Sequence, residues 1–433
     1  MAEEKEENAG QTDHQYKEVP TKTMDQRHRM YLTSCLYLVG FLDLFAVSML
    51  IPLMSRHARD LGASPMWIGA VGSVYGILQL ISGPFVGRLS DVLGRRPVLL
   101  VCLFMCAVGY TINIFASSVF VLILSRIPLG IFKHGIATVK AYLAEITPKE
   151  ERPHVFGRYG AISSTGFIVG PLFGGYLAEY EGGFYKVATC TAAIFVVNFV
   201  FVYILVHPQK NPPLEKTKSV SSFTQEEYSI QTKPGFLKSF KDVVKSSGDL
   251  LFLQLIMGFA IMMYRSNFTL IMEERFHTTP KINGWLISFG AFVAVAAGML
   301  VGRIISFYSS IAKLLLHCSA LLCFILFGLT FAPSLFVVVV LTGLLSVVNP
   351  ISRVCITDLS ISRGNKDKTG ALLGMSQSFM SVARSFSPLV SGIMLEYGPN
   401  APGLTGVFCA MMGTCLLIAI PPGRKITQEK KKD

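Results

Sequence analysis

Charge is what this sequence has least of. Asp, Glu, Lys and Arg make up 15% of its 433 residues, against roughly a quarter in a soluble domain. With 51% of the chain apolar, the missing charge excludes an ordinary water-soluble globule and calls for lipid as the solvent. A Gly-x-x-x-x-Gly-Lys-Ser/Thr loop is also missing, which argues against an ATP-driven pump. No Ser/His/Asp, Cys/His or metal-ligand grouping falls at a workable depth, so neither an enzyme nor a bound metal or other cofactor is expected. The nine cysteines, Cys35 to Cys415, lie inside apolar runs without metal-ligand spacing and read as small hydrophobes with no disulfide framework. The two-residue alternation of a membrane barrel is absent as well, leaving helices to satisfy the backbone in lipid.

What is present is a series of apolar runs of roughly 20 residues, each long enough to cross about 30 Å of hydrocarbon. They fall near 31–54, 66–87, 97–116, 119–145, 155–178, 184–206, 249–273, 282–306, 313–332, 334–357, 370–395 and 403–421. The expected fold is an all-α membrane protein of twelve transmembrane helices in two six-helix bundles. Residues 1–30 form a polar tail, 31–206 the first bundle, 207–248 a Pro/Ser/Lys-rich linker, 249–421 the second bundle and 422–433 a basic tail. Within the linker, 235–247 sets Phe236, Leu237, Phe240, Val243 and Val244 against Lys238, Lys241 and Lys245, the pattern of a helix lying on a membrane surface; a disordered continuation is the alternative.

Basic residues cluster on one set of connections: Arg88, Arg95, Arg96, Lys149, Arg152, Arg158, the linker, Arg303, Arg363, Lys366, Lys368 and both tails. The opposite set holds only Arg56, Arg59, Lys186, Arg275 and Lys281. Cytosolic flanks collect Lys and Arg, so both termini are expected in the cytosol. The net charge of +12 then reads as a face against anionic lipid rather than a nucleic-acid surface. The polar first 30 residues predict no cleavable signal peptide, and the first span serves as its own insertion signal. Asn267-Phe268-Thr269 matches a glycosylation sequon inside a span, where no glycan is accepted. The Lys430-Lys431-Lys432-Asp433 ending fits a dilysine retrieval signal or an ordinary basic tail, leaving plasma and intracellular membranes both open.

The halves repeat. A shift of 217 carries Gly157 to Gly374, Pro171 to Pro388, Leu172 to Leu389, Gly175 to Gly392, Glu179 to Glu396 and Tyr180 to Tyr397. A weaker echo joins Trp67 and Gly87-Arg88-Leu89 to Trp285 and Gly302-Arg303-Ile304. The corner between spans two and three reads Gly87-Arg88-Leu89-Ser90-Asp91, then Gly94-Arg95-Arg96-Pro97; its glycines allow a tight turn and its charges can pair. Span four carries Ser125-Arg126-Ile127-Pro128-Leu129-Gly130, and span five carries Gly157, Gly166, Gly170-Pro171 and Gly174-Gly175. Span one reads Phe41-Leu42-Asp43-Leu44.

Together these motifs resemble the major facilitator superfamily, and within it the twelve-span drug:proton antiporters of the tetracycline-efflux type. In overall character the chain is also similar to animal orphan members and to organic-cation-transporter-like relatives. The resemblance implies that Gly87, Asp91, Gly94, Arg95 and Arg96 latch one conformation, that Arg126 takes part in proton transfer, and that the span-five glycines form the antiporter motif. Small residues let helices approach closely and Pro171 frees a carbonyl, so that segment serves as a pivot or as simple tight packing.

Ionisable groups inside spans cost roughly 2.5–3.5 kcal/mol each on insertion scales and so mark function. Asp43 is the one acid deep in a span. Counting residues along spans one and four puts Arg126 at its depth, so an Asp43–Arg126 pair that protonation or substrate releases is expected, with a permanent salt bridge as the alternative. Arg126, Lys133 and Lys140, seven apart, share a stripe that should face a cavity, with His134 beside it as a second proton site or a packed neutral histidine. Arg265 and Arg384 add further bases. The expected cavity, with Lys133, Arg265 and Arg384, is electropositive and favours an organic anion or zwitterion over a cation.

The leading expectation is a proton-coupled secondary transporter of a small organic solute, acting as a monomer in the bilayer. An uncoupled facilitator and a transporter-like scaffold that moves nothing remain as alternatives.

Overall fold

The structure is a computed structural model that describes residues 26–148, 150–206, 234–363 and 369–419. The polar tail up to residue 25, the linker over 207–233 and the basic tail from 422 lie outside the described residues. The first half contains α1 (Gln26–Asp60), α2 (Pro65–Leu93), α3 (Arg95–Ile114), α4 (Val119–Phe132), α5 (Gly135–Ile146), α6 (Arg152–Leu177) and α7 (Gly183–Leu205). The second contains α8 (Pro234–Ser266), α9 (Phe268–Phe276), α10 (Pro280–Ser306), α11 (Ile311–Thr330), α12 (Leu335–Arg363), α13 (Thr369–Glu396) and α14 (Ala401–Ala419). These fourteen helices make twelve spans, because α4–α5 and α8–α9 are each one span with a break. The stretch 235–247 is the opening of α8 and runs unbroken into the span.

Ten spans combine the length and hydropathy of a membrane crossing. The other two, α6 and α13, are long enough at 26 and 28 residues but dilute their apolar content with glycine and serine. They are the repeated pair found in the sequence, and their composition suits their place. Apolar surface gives little driving force for helix association in lipid, so close packing of small residues takes over. A methyl group added at Gly166, Gly170 or Gly174 of α6 would lie 2.5, 2.6 or 2.0 Å from the carbonyl oxygen of Phe41, Phe45 or Met49 in α1. Backbone therefore touches backbone along that crossing. Gly157 has nothing within 4 Å of such a methyl.

One apolar core joins α1, α3 and α7 through side chains such as Leu36, Leu103 and Phe195. A second, built around Leu253, Leu322 and Val338, lies mainly in the later half. The halves meet chiefly where α2 packs on α13 and α6 on α10.

The break in span four overturns the expectation of one continuous stripe. Lys133 leaves the helix at φ −76°, ψ 59°, between Gly130 and Gly135. Its freed carbonyl accepts a hydrogen bond from Gln79 Nε2 at 2.9 Å, and Ser82 Oγ donates to the Gly130 carbonyl at 3.2 Å. Neighbouring side chains thus replace the lost helical partners, as a break at membrane depth requires. Span seven breaks at Asn267, whose amide donates to Ser391 Oγ at 3.0 Å while Ser391 donates to the Met263 carbonyl at 2.8 Å.

Candidate functional site

The break in α4–α5 turns Lys133 toward α1, where its ammonium forms an ion pair with Asp43. Asp43 is 2% exposed. The Lys133 Nζ also lies 4.9 Å from the Phe195 ring centroid, so an aromatic face completes its surroundings. One carboxylate oxygen is used; Asp43 Oδ2 is buried without a hydrogen-bond partner. His134, next in sequence, meets Ser82 Oγ through its Nε2 at 2.9 Å.

Arg126 does not reach Asp43 in this conformation. Its guanidinium donates instead to Met54 Sδ at 2.9 Å, and its Nε is buried without a partner. The matched depths assumed a first span of 31–54, whereas α1 extends to Asp60. Asp43 is therefore about 25 Å from the far end of α1, and Arg126 only about 11 Å from the matching end of α4. Lys133, expected to line the cavity, is taken up by the ion pair, and the two residues exchange places.

A cavity of about 440 Å³ lies between the halves, walled by Ile51, Ser55 and Phe167 on one side and by Arg265, Ser266, Leu286, Thr342 and Arg384 among others on the opposite side. Arg265 is mid-span yet exposed, because its open surface is cavity surface. Among the described residues, no acid lines this space. Arg384 bonds only weakly to Ser381 Oγ, at 3.3 Å. A smaller cavity of about 140 Å³ holds Arg126, Met54 and Tyr75 and shares Ser55 and Ser266 with the larger one.

The two ends of the molecule differ. On the face where α1 starts, the basic face, Arg29–Glu151, Arg95–Glu145 and Arg363–Asp249 each join residues of one half. Gly94 turns the chain between α2 and α3 at φ +95°, a conformation that favours glycine, and Asp91 near the end of α2 pairs with Arg95 at the start of α3 across that turn. Arg96 donates to the Tyr203 carbonyl at 2.7 Å, and Gly87 faces open space.

On the opposite face the pairs cross between halves. Arg56 and Arg59 reach Glu273 at 3.6 and 3.5 Å. Ser64, the N-cap of α2, donates to Glu396 at 3.1 Å, and Thr279, the N-cap of α10, donates to Glu179 at 3.0 Å. Beneath these bonds α2 crosses α13 and α10 crosses α6. A methyl at Gly69 would lie 2.2 Å from the Pro388 oxygen, and one at Gly284 would lie 2.2 Å from the Pro171 oxygen. Gly392 over Pro65 and Gly175 over Pro280 repeat the arrangement at 2.4 and 2.6 Å. Gly175 thus belongs to this seal, whereas Gly166, Gly170 and Gly174 belong to the α1 crossing.

The sequence reading missed the seal. Its signal was a second repeat, Ser64-Pro65 with Gly69 and Thr279-Pro280 with Gly284, displaced by 215 rather than 217.

The sequence model of the Major Facilitator Superfamily matches residues 36–360 and again 250–433. The chain belongs to that superfamily. It is a transporter and not an enzyme. Among superfamily members, Multidrug resistance protein 2 of Bacillus subtilis (strain 168) is 26% identical over 400 residues, covering 91% of this chain and 94% of its own. Quinolone resistance protein NorA of Staphylococcus aureus is 23% identical over 391 residues, covering 88% and 95%. Two solved structures share the superfamily fold. A bacterial homolog of the human lysosomal transporter Spinster, inward-facing and occupied, has a TM-score of 0.71 at 13% identity and covers 92% of this chain and 97% of its own. The human organic anion transporter MFSD10 has a TM-score of 0.63 at 19% identity and covers 90% and 99%.

Proposed function

We propose that this transporter moves a small organic anion by alternating access in a proton-coupled cycle. The observation that carries the reading is the cavity between the halves, lined by Arg265 and Arg384 and, among the described residues, by no acid. An anion entering it exchanges water for fixed positive charge, whereas a cation meets only repulsion.

The Asp43–Lys133 pair is the proton-coupling element. Asp43 Oδ2 is the position where a proton adds. Protonation removes the carboxylate charge, leaves Lys133 without its partner and frees the break between α4 and α5 to rearrange. His134, held by Ser82, supplies a second protonatable group beside it. The basic face is cytosolic, so this conformation, sealed on the opposite face, is open inward. Asp91 and Arg95 latch the outward-open state, and α6 pivots at Gly170-Pro171 where it leans on α1.

The test is uptake into proteoliposomes under an imposed pH gradient, with competition by a panel of anionic and cationic solutes. Anions should compete and the gradient should set the rate. Preferential competition by cations would sink the substrate class, and indifference to the gradient would leave a facilitator.

A further inference from the structure

Among the arginines without an acidic partner in the described residues, Arg126 and Arg265 face the two adjoining cavities from opposite halves. Arg126 reaches the smaller cavity from the first half, with Met54 sulfur as its acceptor and Nε unpartnered. Arg265 reaches the larger cavity from the second half, and no hydrogen bond or ion pair engages it among the described residues. Thioether sulfur is a weak acceptor and leaves the Arg126 charge essentially uncompensated. The two cavities share Ser55 and Ser266 as lining residues, and the Ser266 hydroxyl donates to the Met262 carbonyl at 2.7 Å.

We propose that the substrate is an organic dianion of the dicarboxylate type, clamped with one carboxylate on Arg126 and the other on Arg265. This rests on the anion reading above and deepens it. A monoanion neutralises one arginine and leaves the other unmatched; a dianion neutralises both, each through a planar bidentate pair. Ser55 and Ser266 lie at the junction beside the middle of such a molecule, and Ile51, Phe167 and Leu286 accept its apolar edge. Because the clamp joins residues of opposite halves, its contacts differ between conformations. Bound substrate therefore biases the exchange between states, as transport requires. Arg126 is then a substrate-binding residue, while proton coupling stays with Asp43 and Lys133.

The experiment uses purified full-length protein in proteoliposomes and in detergent, with a homologous series of linear α,ω-dicarboxylates against monocarboxylates of equal chain length. Thermal stabilisation and uptake are both read. The wild type should prefer dicarboxylates roughly tenfold or more, the size of one charge-assisted hydrogen-bonded contact. Arg126→Gln should bring that preference to about one while monocarboxylate binding through Arg265 persists, and Arg126→Lys should restore part of it. Should Arg126→Gln fail to fold, the wild-type preference and its reduction in Arg126→Lys carry the same test. Equal binding of both series by the wild type, or an unchanged preference in the folded Arg126 variants, overturns the clamp but leaves an anion transporter. Binding of organic cations with no anion bound at all overturns the anion reading itself.

Discussion

The two halves of this transporter share a backbone plan and differ in their interior chemistry. On the far face the plan is nearly symmetric: Ser64 with Glu396 mirrors Thr279 with Glu179, and the Gly69–Pro388 crossing mirrors Gly284–Pro171. Inside, the symmetry is gone. The first half buries a matched acid and base, Asp43 with Lys133, whereas the second opens Arg265 and Arg384 to a cavity without an acid. The difference teaches that the movement of a repeated fold and the selectivity of its cavity are separate properties. The crossings of the far face are kept alike in both halves, whereas the buried charges beneath them diverge.

The largest effect should come from breaking the interior pair. Asp43→Asn strands a buried lysine and should cost about 3–5 kcal/mol, read as a lowered melting temperature in detergent, while Asp43→Leu with Lys133→Met recovers most of the loss but not the gradient response. Arg265→Gln is the counterpart in the other half. With no partner to strand, it should leave the melting temperature nearly unchanged and abolish anion uptake. Equal destabilisation by the two substitutions would contradict the contrast between the halves.

Next in size are the crossings. Gly69→Ala and Gly284→Ala should each cost about 1–3 kcal/mol in the sealed state, because the new methyl meets a carbonyl oxygen that cannot move aside. Accessibility of cysteines introduced on the far face should rise alike in both; a large disparity would break the symmetry. Smaller still, Glu179→Gln and Glu396→Gln each weaken one hydrogen bond to a helix N-cap, worth about 0.5–1.5 kcal/mol, and should shift the same accessibility by similar amounts. At the bottom of the scale, Gly157→Ala should change stability by under about 0.5 kcal/mol, since its neighbourhood is empty.

Much of the fold was legible because lipid enforces length and composition. Twelve apolar runs and the α6–α13 repeat could be read directly, even though two of the runs are poor in hydropathy. The pairing inside was not legible, for a physical reason. Residue counting assumes unbroken helices that end at the membrane boundary, but α1 continues to Asp60 and span four breaks at Lys133. Those two departures move Lys133 onto Asp43 and Arg126 onto Met54. Gly170-Pro171 was found as a motif, yet the roles of its glycines divide between two crossings that only three dimensions separate. The far-face glutamates were seen as repeat markers; their partners depend on helix starts, where a hydroxyl before a proline carries little signal until both copies are compared.

The glycine and proline crossings on the far face carry a further consequence. Since main-chain atoms meet directly there, side-chain hopping cannot open a chink between the helices, and little space remains for a file of water molecules. Protons travel readily along such files. A shut gate of this construction lets an idle carrier sit in an energised membrane without leaking protons through it.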